Sequence, residues 1–142
     1  RIDAPMSVIA VSPRPFPKNP PLWCGFGVGR RIDELKMRWL NSVADRVNGT
    51  LRDLARERGA LYVEVGDLLQ TGDHTMCEDA AGPGEGKRWI NRFIPSSMEE
   101  SAHPNAYLHR AEAQRIYDCL PKGNDPSPQL PFCIRNTSGP TF

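Results

Sequence analysis

The chain has 142 residues, enough for one domain with a real core and too few for two. Its 18 Lys and Arg stand against 17 Asp and Glu, which excludes the basic excess of a nucleic-acid binder. No apolar run is long enough to span a bilayer. In chain order, Ser7–Ser12 (SVIAVS) is a β-branched run closed by prolines and predicts a buried strand. Residues 13–29 carry Pro13, Pro15, Pro17, Pro20 and Pro21, then Gly25, Gly27 and Gly29, and predict a long loop. Ile32, Leu35, Trp39, Leu40, Val43, Val47, Leu51 and Leu54 then recur at steps of three and four. They predict a helix over residues 32–55, with Trp39 in the core and Gly59 as its stop. Leu61–Val65 is a second strand. Strand, long helix, strand is the signature of a βαβ unit with a right-handed crossover and a parallel sheet. Residues 66–102 lack periodicity and predict an extended excursion. Ala106–Leu120 resumes a helical pattern through Leu108, Ala111, Ala113, Ile116 and Tyr117. The fold class is therefore α/β. Residues 1–120 form the body, and 121–142, with Pro121, Pro126, Pro128 and Pro131, an irregular clamped tail.

Cys24, Cys77, Cys119 and Cys133 allow three pairings, and none lies in the C-x-x-C spacing of a zinc site. Asn48-Gly49-Thr50 and Asn136-Thr137-Ser138 are glycosylation sequons, and Asn48 falls off the apolar stripe, within reach of solvent. Cysteines and sequons together point to a secreted, oxidised protein. A Cys24–Cys77 bridge would close a long loop and add roughly 3–4 kcal/mol. A Cys119–Cys133 bridge would pin the tail to the body. The chain opens at Arg1 with no start Met and no signal-like segment, as a processed or truncated product would.

The chemistry converges on Glu99-Glu100-Ser101-Ala102-His103-Pro104-Asn105. Sites in open α/β sheets form beyond the carboxyl ends of the strands, and the excursion after Val65 leads from that edge to His103. Pro104 suits the first position of a helix and biases His103 toward extended backbone. His103 is thus expected on a loop at a helix start, a good post for a general base. Its ring needs an acceptor at Nδ1. Glu100 is the first candidate, Glu99 a second, and a backbone carbonyl such as that of Ser101 a third. The plainer alternative is a surface histidine beside solvated glutamates.

Asp73-His74-Thr75-Met76-Cys77, then Trp89-Ile90-Asn91, then His103-Pro104-Asn105, then His109 and Ala113, resemble the C-terminal half of the SGNH, or GDSL-type, hydrolases, in their secreted lipase and esterase branch. The resemblance covers about residues 5–120 and implies a three-layer α/β/α fold with a parallel sheet. It implies that His103 is the catalytic base, with Glu100 where the family usually has Asp, and the Ser101 carbonyl as the acceptor some members use instead. It implies a disulfide at Cys77, which favours the Cys24–Cys77 pairing, and a structural role for His74. Leu108 stands where many relatives have Gly.

The family's Gly-Asp-Ser block and its oxyanion Gly and Asn are absent from these residues. Gly123-Asn124-Asp125 lacks the spacing of the oxyanion block and reads as a turn. A Ser–His mechanism without the Ser forms no acyl-enzyme. The resemblance therefore implies either an N-terminal chain of the same precursor that carries the nucleophile and completes the sheet, whose first strand otherwise has an open edge, or that these residues are only a fragment. The expected activity is hydrolysis of a lipid ester or an acetylated glycan with no metal or organic cofactor. Trp23, Phe26, Trp89 and Phe93 are candidate contacts for an acyl chain. The alternative is a catalytically inactive, secreted binding or toxin-like subunit, and a weaker third is a disulfide-stabilised structural protein.

Overall fold

The computed structural model describes residues 8–10, 13–27, 29–92, 96–122 and 130–134. Phe93, the turn at Gly123–Asp125 and the Asn136 sequon lie outside them, as does the side chain of Phe26. In chain order the elements are β1 (Val8–Ala10), β2 (Trp23–Gly27), β3 (Arg30–Asp33), α1 (Glu34–Glu57), β4 (Leu61–Val63), β5 (Ala80–Ala81), β6 (Lys87–Arg88), α2 (Ala106–Cys119) and β7 (Cys133–Ile134). A single 3-10 turn spans Met98–Glu100.

β1 and β4 pair in parallel, Val8 opposite Leu61 and Ala10 opposite Val63, with α1 in the connection between them. This is the βαβ unit expected from the β-branched runs, and the chain is mixed α/β. Leu61, Tyr62 and Val63 are all buried, as a central strand covered on both faces requires. β7 adds antiparallel to the other side of β4, so the strand order is β1-β4-β7. The expected irregular tail is thus a strand at residues 133–134. The Cys119–Cys133 disulfide ties it to the end of α2, and Glu64 N–H donates to the Phe132 carbonyl at 2.9 Å.

Before α1, residues 13–22 form the expected loop, but 23–27 do not. β2 and β3 form an antiparallel hairpin with a register shift at Gly25–Gly27. The glycines that suggest a loop fit such an irregularity equally well. The Cys24–Cys77 disulfide fixes this hairpin to the excursion after β4, with Cα atoms 5.3 Å apart.

α1 starts and stops where local chemistry dictates. The Asp33 carboxylate accepts from Lys36 N–H at 2.9 Å and caps the first turn. At the other end Gly59 takes φ +64°, Ala60 N–H reaches the Ala55 carbonyl at 2.9 Å and Gly59 N–H the Arg56 carbonyl at 3.4 Å. Those two bonds make a Schellman stop.

The buried face of α1 overlaps the apolar row only in part, at Leu40 and Leu51, which pack against the core. Met37, Asn48 and Ala55 are buried, and Asn41, Ala44 and Leu51 half-buried, at alternating steps of four and three. Leu35, Trp39, Val47 and Leu54 point outward; Trp39 is 60% exposed, so its expected core position is corrected. Two asparagines on the inner seam explain the misreading. The Asn41 carboxamide accepts from Phe16 N–H at 3.2 Å and donates to the Phe16 and Pro17 carbonyls at 3.1 and 3.2 Å. Asn48 packs against Gly66, where an added Cβ would lie 3.1 Å from its Nδ2. At Asn41 the seam is polar because it binds backbone, and a search for apolar periodicity overlooks it.

Two expectations follow. Replacing Cys119 and Cys133 together by Ser should cost about 3 kcal/mol in denaturant unfolding, given the short loop the bridge closes; a loss well under about 1 kcal/mol would show that pairing with β4 alone holds the tail. Asn48 is 4% exposed, which corrects its expected accessibility. The intact mass of the chain from a glycosylating host should show no glycan there. An occupied Asn48 would contradict this packing of α1.

Candidate functional site

The loops that follow the two parallel strands are joined backbone to backbone. Arg14 N–H, after β1, donates to the Gly66 carbonyl, after β4, at 2.9 Å. Gly66 lies close against the Glu64 carboxylate at that point. Its N–H meets Glu64 Oε1 at 2.7 Å, and a Cβ there would fall 2.6 Å from the same oxygen. The other carboxylate oxygen lies 3.2 Å from the Tyr62 hydroxyl, which also approaches the Asn48 carbonyl at 3.3 Å. Burial and then the Glu64 charge push that hydroxyl up to about 12, so it stays neutral and bonded at ordinary pH.

From here the excursion is pinned by stacked rings. His74 is buried and lies flat on Trp89, with ring centroids 3.6 Å apart and planes 8° from parallel. Its Nδ1 is 2.7 Å from the Lys87 carbonyl, which makes Nδ1 the protonated nitrogen, and Trp89 Nε1 donates to the Gly82 carbonyl at 2.8 Å. Gly72, at φ +81°, lets the chain pass under the ring; a Cβ would be 3.0 Å from His74 Nε2. His74 therefore has the structural place the sequence assigns to it.

Backbone bonds carry this order on to His103. Met76 N–H donates to the Pro15 carbonyl after β1, and Trp89 N–H to the His74 carbonyl, each at 2.9 Å. Asn105 N–H then donates to the Trp89 carbonyl and Asn91 N–H to the His103 carbonyl, both at 2.9 Å. The segment 103–105 is thereby clasped to 89–91, next to the bridge between Ile90 and Pro104. His103 stands exposed just before α2, tied through this clasp to the loops beyond the carboxyl ends of β1 and β4.

The cap of α2 differs in detail from expectation. Asn105, rather than Pro104 at the first helical position, begins the helix, its side-chain oxygen accepting from Tyr107 N–H at 3.0 Å and Leu108 N–H at 3.4 Å. Asn is among the strongest cap residues, and that was the signal available. Its Nδ2 also donates to the Arg88 carbonyl at 3.3 Å, so the cap and the clasp share one side chain.

Glu100 and His103 meet through the backbone, His103 N–H donating to the Glu100 carbonyl at 3.3 Å. Both side chains are exposed, and their carboxylate and ring are not among the ion pairs or hydrogen bonds of the described residues. Glu99 is exposed likewise. Ser101 is half-buried and its hydroxyl donates to the Ser97 carbonyl at 3.1 Å. Trp89 is occupied by His74, and Trp23 lies on the surface under the Arg31 guanidinium, 4.1 Å above its ring.

Two of the hollows among the described residues bear on the site, while another, of about 370 Å³, lies at Trp89, Tyr107 and Arg110. One, of about 520 Å³, is polar and largely self-neutralised, with Arg14 against Asp45, and Asp67 against Arg115. The other, of about 290 Å³, is walled by Phe16, Leu40, Met76, Ile90 and Leu108. Ala102 and Pro104, the two neighbours of His103, complete its rim. Chemistry favours the smaller, because it is the one beside the histidine. Sequence reasoning missed this cleft, whose walls come from five separate stretches of chain. No protein-family model, no curated protein and no solved structure matches the chain.

Burial, then the negative charges of Asp73 and Asp79, push the Glu78 carboxyl above its ordinary value. Its folded form holds the proton more tightly than its unfolded form. Ionising it therefore costs stability above the ordinary carboxylate range, and the cost vanishes once pH falls below that range. Glu78→Gln should raise the melting temperature near neutral pH and leave it unchanged in acid well below 4.5. An equal effect in both conditions would contradict this assignment.

Proposed function

We propose that this chain is the C-terminal part of a secreted serine ester hydrolase of the SGNH type. In this reading the nucleophilic serine and the oxyanion donors lie on an N-terminal chain of the same precursor, and His103 is the base. One observation supports it: an exposed histidine at the start of the last helix, whose backbone is bonded to a loop network that also joins the segments following two parallel strands. The order of His74, Cys77, Trp89, Asn91, His103, Pro104 and Asn105 supports it. So does β1, which pairs only with β4 and presents its second edge to an added strand among the described residues. The two disulfides suit an oxidising, extracellular setting.

The steps follow from the role of the ring. The partner's serine oxygen attacks the ester carbonyl while His103 Nε2 takes its proton. The tetrahedral intermediate collapses, and the protonated His103 gives that proton to the departing alcohol. Water, activated by the same ring, then releases the acid and restores the serine. Glu100, or the Ser101 carbonyl, orients the imidazole once the partner is docked.

A second reading is favoured by a specific feature. Leu22, Trp23, Leu35 and Trp39 are between 53% and 80% exposed around the start of α1. Such an apolar surface suits an interaction subunit without catalysis as well as one half of a two-chain enzyme.

A serine-directed fluorophosphonate probe separates these readings. Applied to the chain with everything that purifies alongside it, the probe should label a Gly-Asp-Ser polypeptide. His103→Ala should slow labelling by about 10²–10⁴-fold. Labelling that survives His103→Ala would show that His103 is not the base, and no labelling at all would favour the interaction subunit.

A further inference from the structure

We propose that the cleft beside His103 binds the apolar acyl chain of a medium-length carboxylic ester, an inference that deepens the hydrolase reading and rests on it. It is lined by Phe16, Leu40, Met76, Ile90 and Leu108 among others. None of the lining side chains carries a hydrogen-bonding group. A sugar ring placed there would lose its water bonds without replacement, whereas a hydrocarbon chain gains from burial.

The cleft is built in advance. Asn41 grips the backbone of Phe16 and Pro17 from α1, and Met76 N–H is held by the Pro15 carbonyl. Ile90 faces Pro104 across a backbone bridge, and Ala102 takes φ +62°, which turns the chain at the rim. A preformed apolar site binds without the ordering cost of a collapsing one.

Its volume sets the length of the guest. About 290 Å³ holds roughly ten groups of the size of water or methylene. An acetyl group would leave most of that space unfilled, and a long fatty chain would protrude. Ala102 and Pro104, the sequence neighbours of His103, line the cleft, so a chain seated there lies beside the His103 segment.

The chain holds four methionines, and Met76 alone among the described ones lines the cleft. The test is to label methionine methyl groups with carbon-13 in the full chain, together with whatever purifies with it, and to titrate with acetate, butyrate and octanoate. Octanoate should shift the Met76 methyl signal saturably and leave the core Met37 signal in place. Affinity should rise about fourfold for each methylene added between butyrate and octanoate. Leu40→Trp should weaken octanoate by roughly tenfold or more, the equivalent of about two buried methylenes, with Met37 unmoved. No saturable shift at Met76, or an equal response to acetate, would overturn the proposal. So would contacts from a co-purifying polypeptide that octanoate fails to displace. Fluorophosphonate labelling of the same sample keeps the two ideas apart. Labelling without the octanoate shift overturns the acyl cleft alone, while the shift without labelling keeps an acyl-binding cleft and removes the hydrolase.

Discussion

The imidazole of His74 lies against the indole of Trp89, and the backbone of Trp89 is bonded on both sides of that stack. Its N–H is held by the His74 carbonyl, and its own carbonyl accepts from Asn105. The stack itself is worth only about 0.5–1.5 kcal/mol beyond the area it buries. Its consequence is positional. Because both ring nitrogens in contact with backbone are satisfied, the rings have one orientation, and the residues bonded to them inherit it. His103 is placed by that inheritance, two residues from Asn105 and across a 2.9 Å bond from Asn91.

Around this clasp the chain is built from small pieces. The described sheets have two or three strands each, and several strands are only two or three residues long. Isolated strands of that size are marginal. What holds them is a core shared among distant segments, with Phe16, Met37, Tyr62, Leu69, Met76 and Leu108 fully buried together. The disulfides join the hairpin to the excursion and the tail to α2, the two places where few residues are available to pack. The loop after β1, the excursion and the start of α2 thereby become walls of one cleft.

Much of this architecture was legible in the residues, and the failures have physical causes. The parallel pair and the helix between them followed from β-branched runs and a period near 3.6, since both signals are local. Gly59 marked the end of α1 because only a residue tolerant of positive φ ends a helix that way. The hairpin at 23–33 was hidden by its own glycines, and the inner face of α1 by two asparagines, of which Asn41 satisfies backbone groups and Asn48 packs against Gly66. At the candidate site, the place of His103 before a helix was readable, as was the structural place of His74. The side-chain link from Glu100 to His103 was inferred from spacing, yet the turn joins the two through backbone, because a 3-10 turn followed by Ala102 at positive φ sets their relation. The cleft was out of reach of any local pattern, being assembled from residues as far apart as Pro13 and Leu108.

If the clasp fixes His103, the amides of Asn91 and Asn105 must exchange slowly with solvent, although they lie outside every helix and strand. Native-state hydrogen exchange, read residue by residue, tests this directly. Protection of both amides comparable to that of Tyr62 and Val63 in β4, and its loss in Trp89→Ala while β4 stays protected, is the predicted result. Exchange of Asn91 and Asn105 at the rate of an open loop in the unaltered chain would show that His103 is not held in place, and would contradict the account.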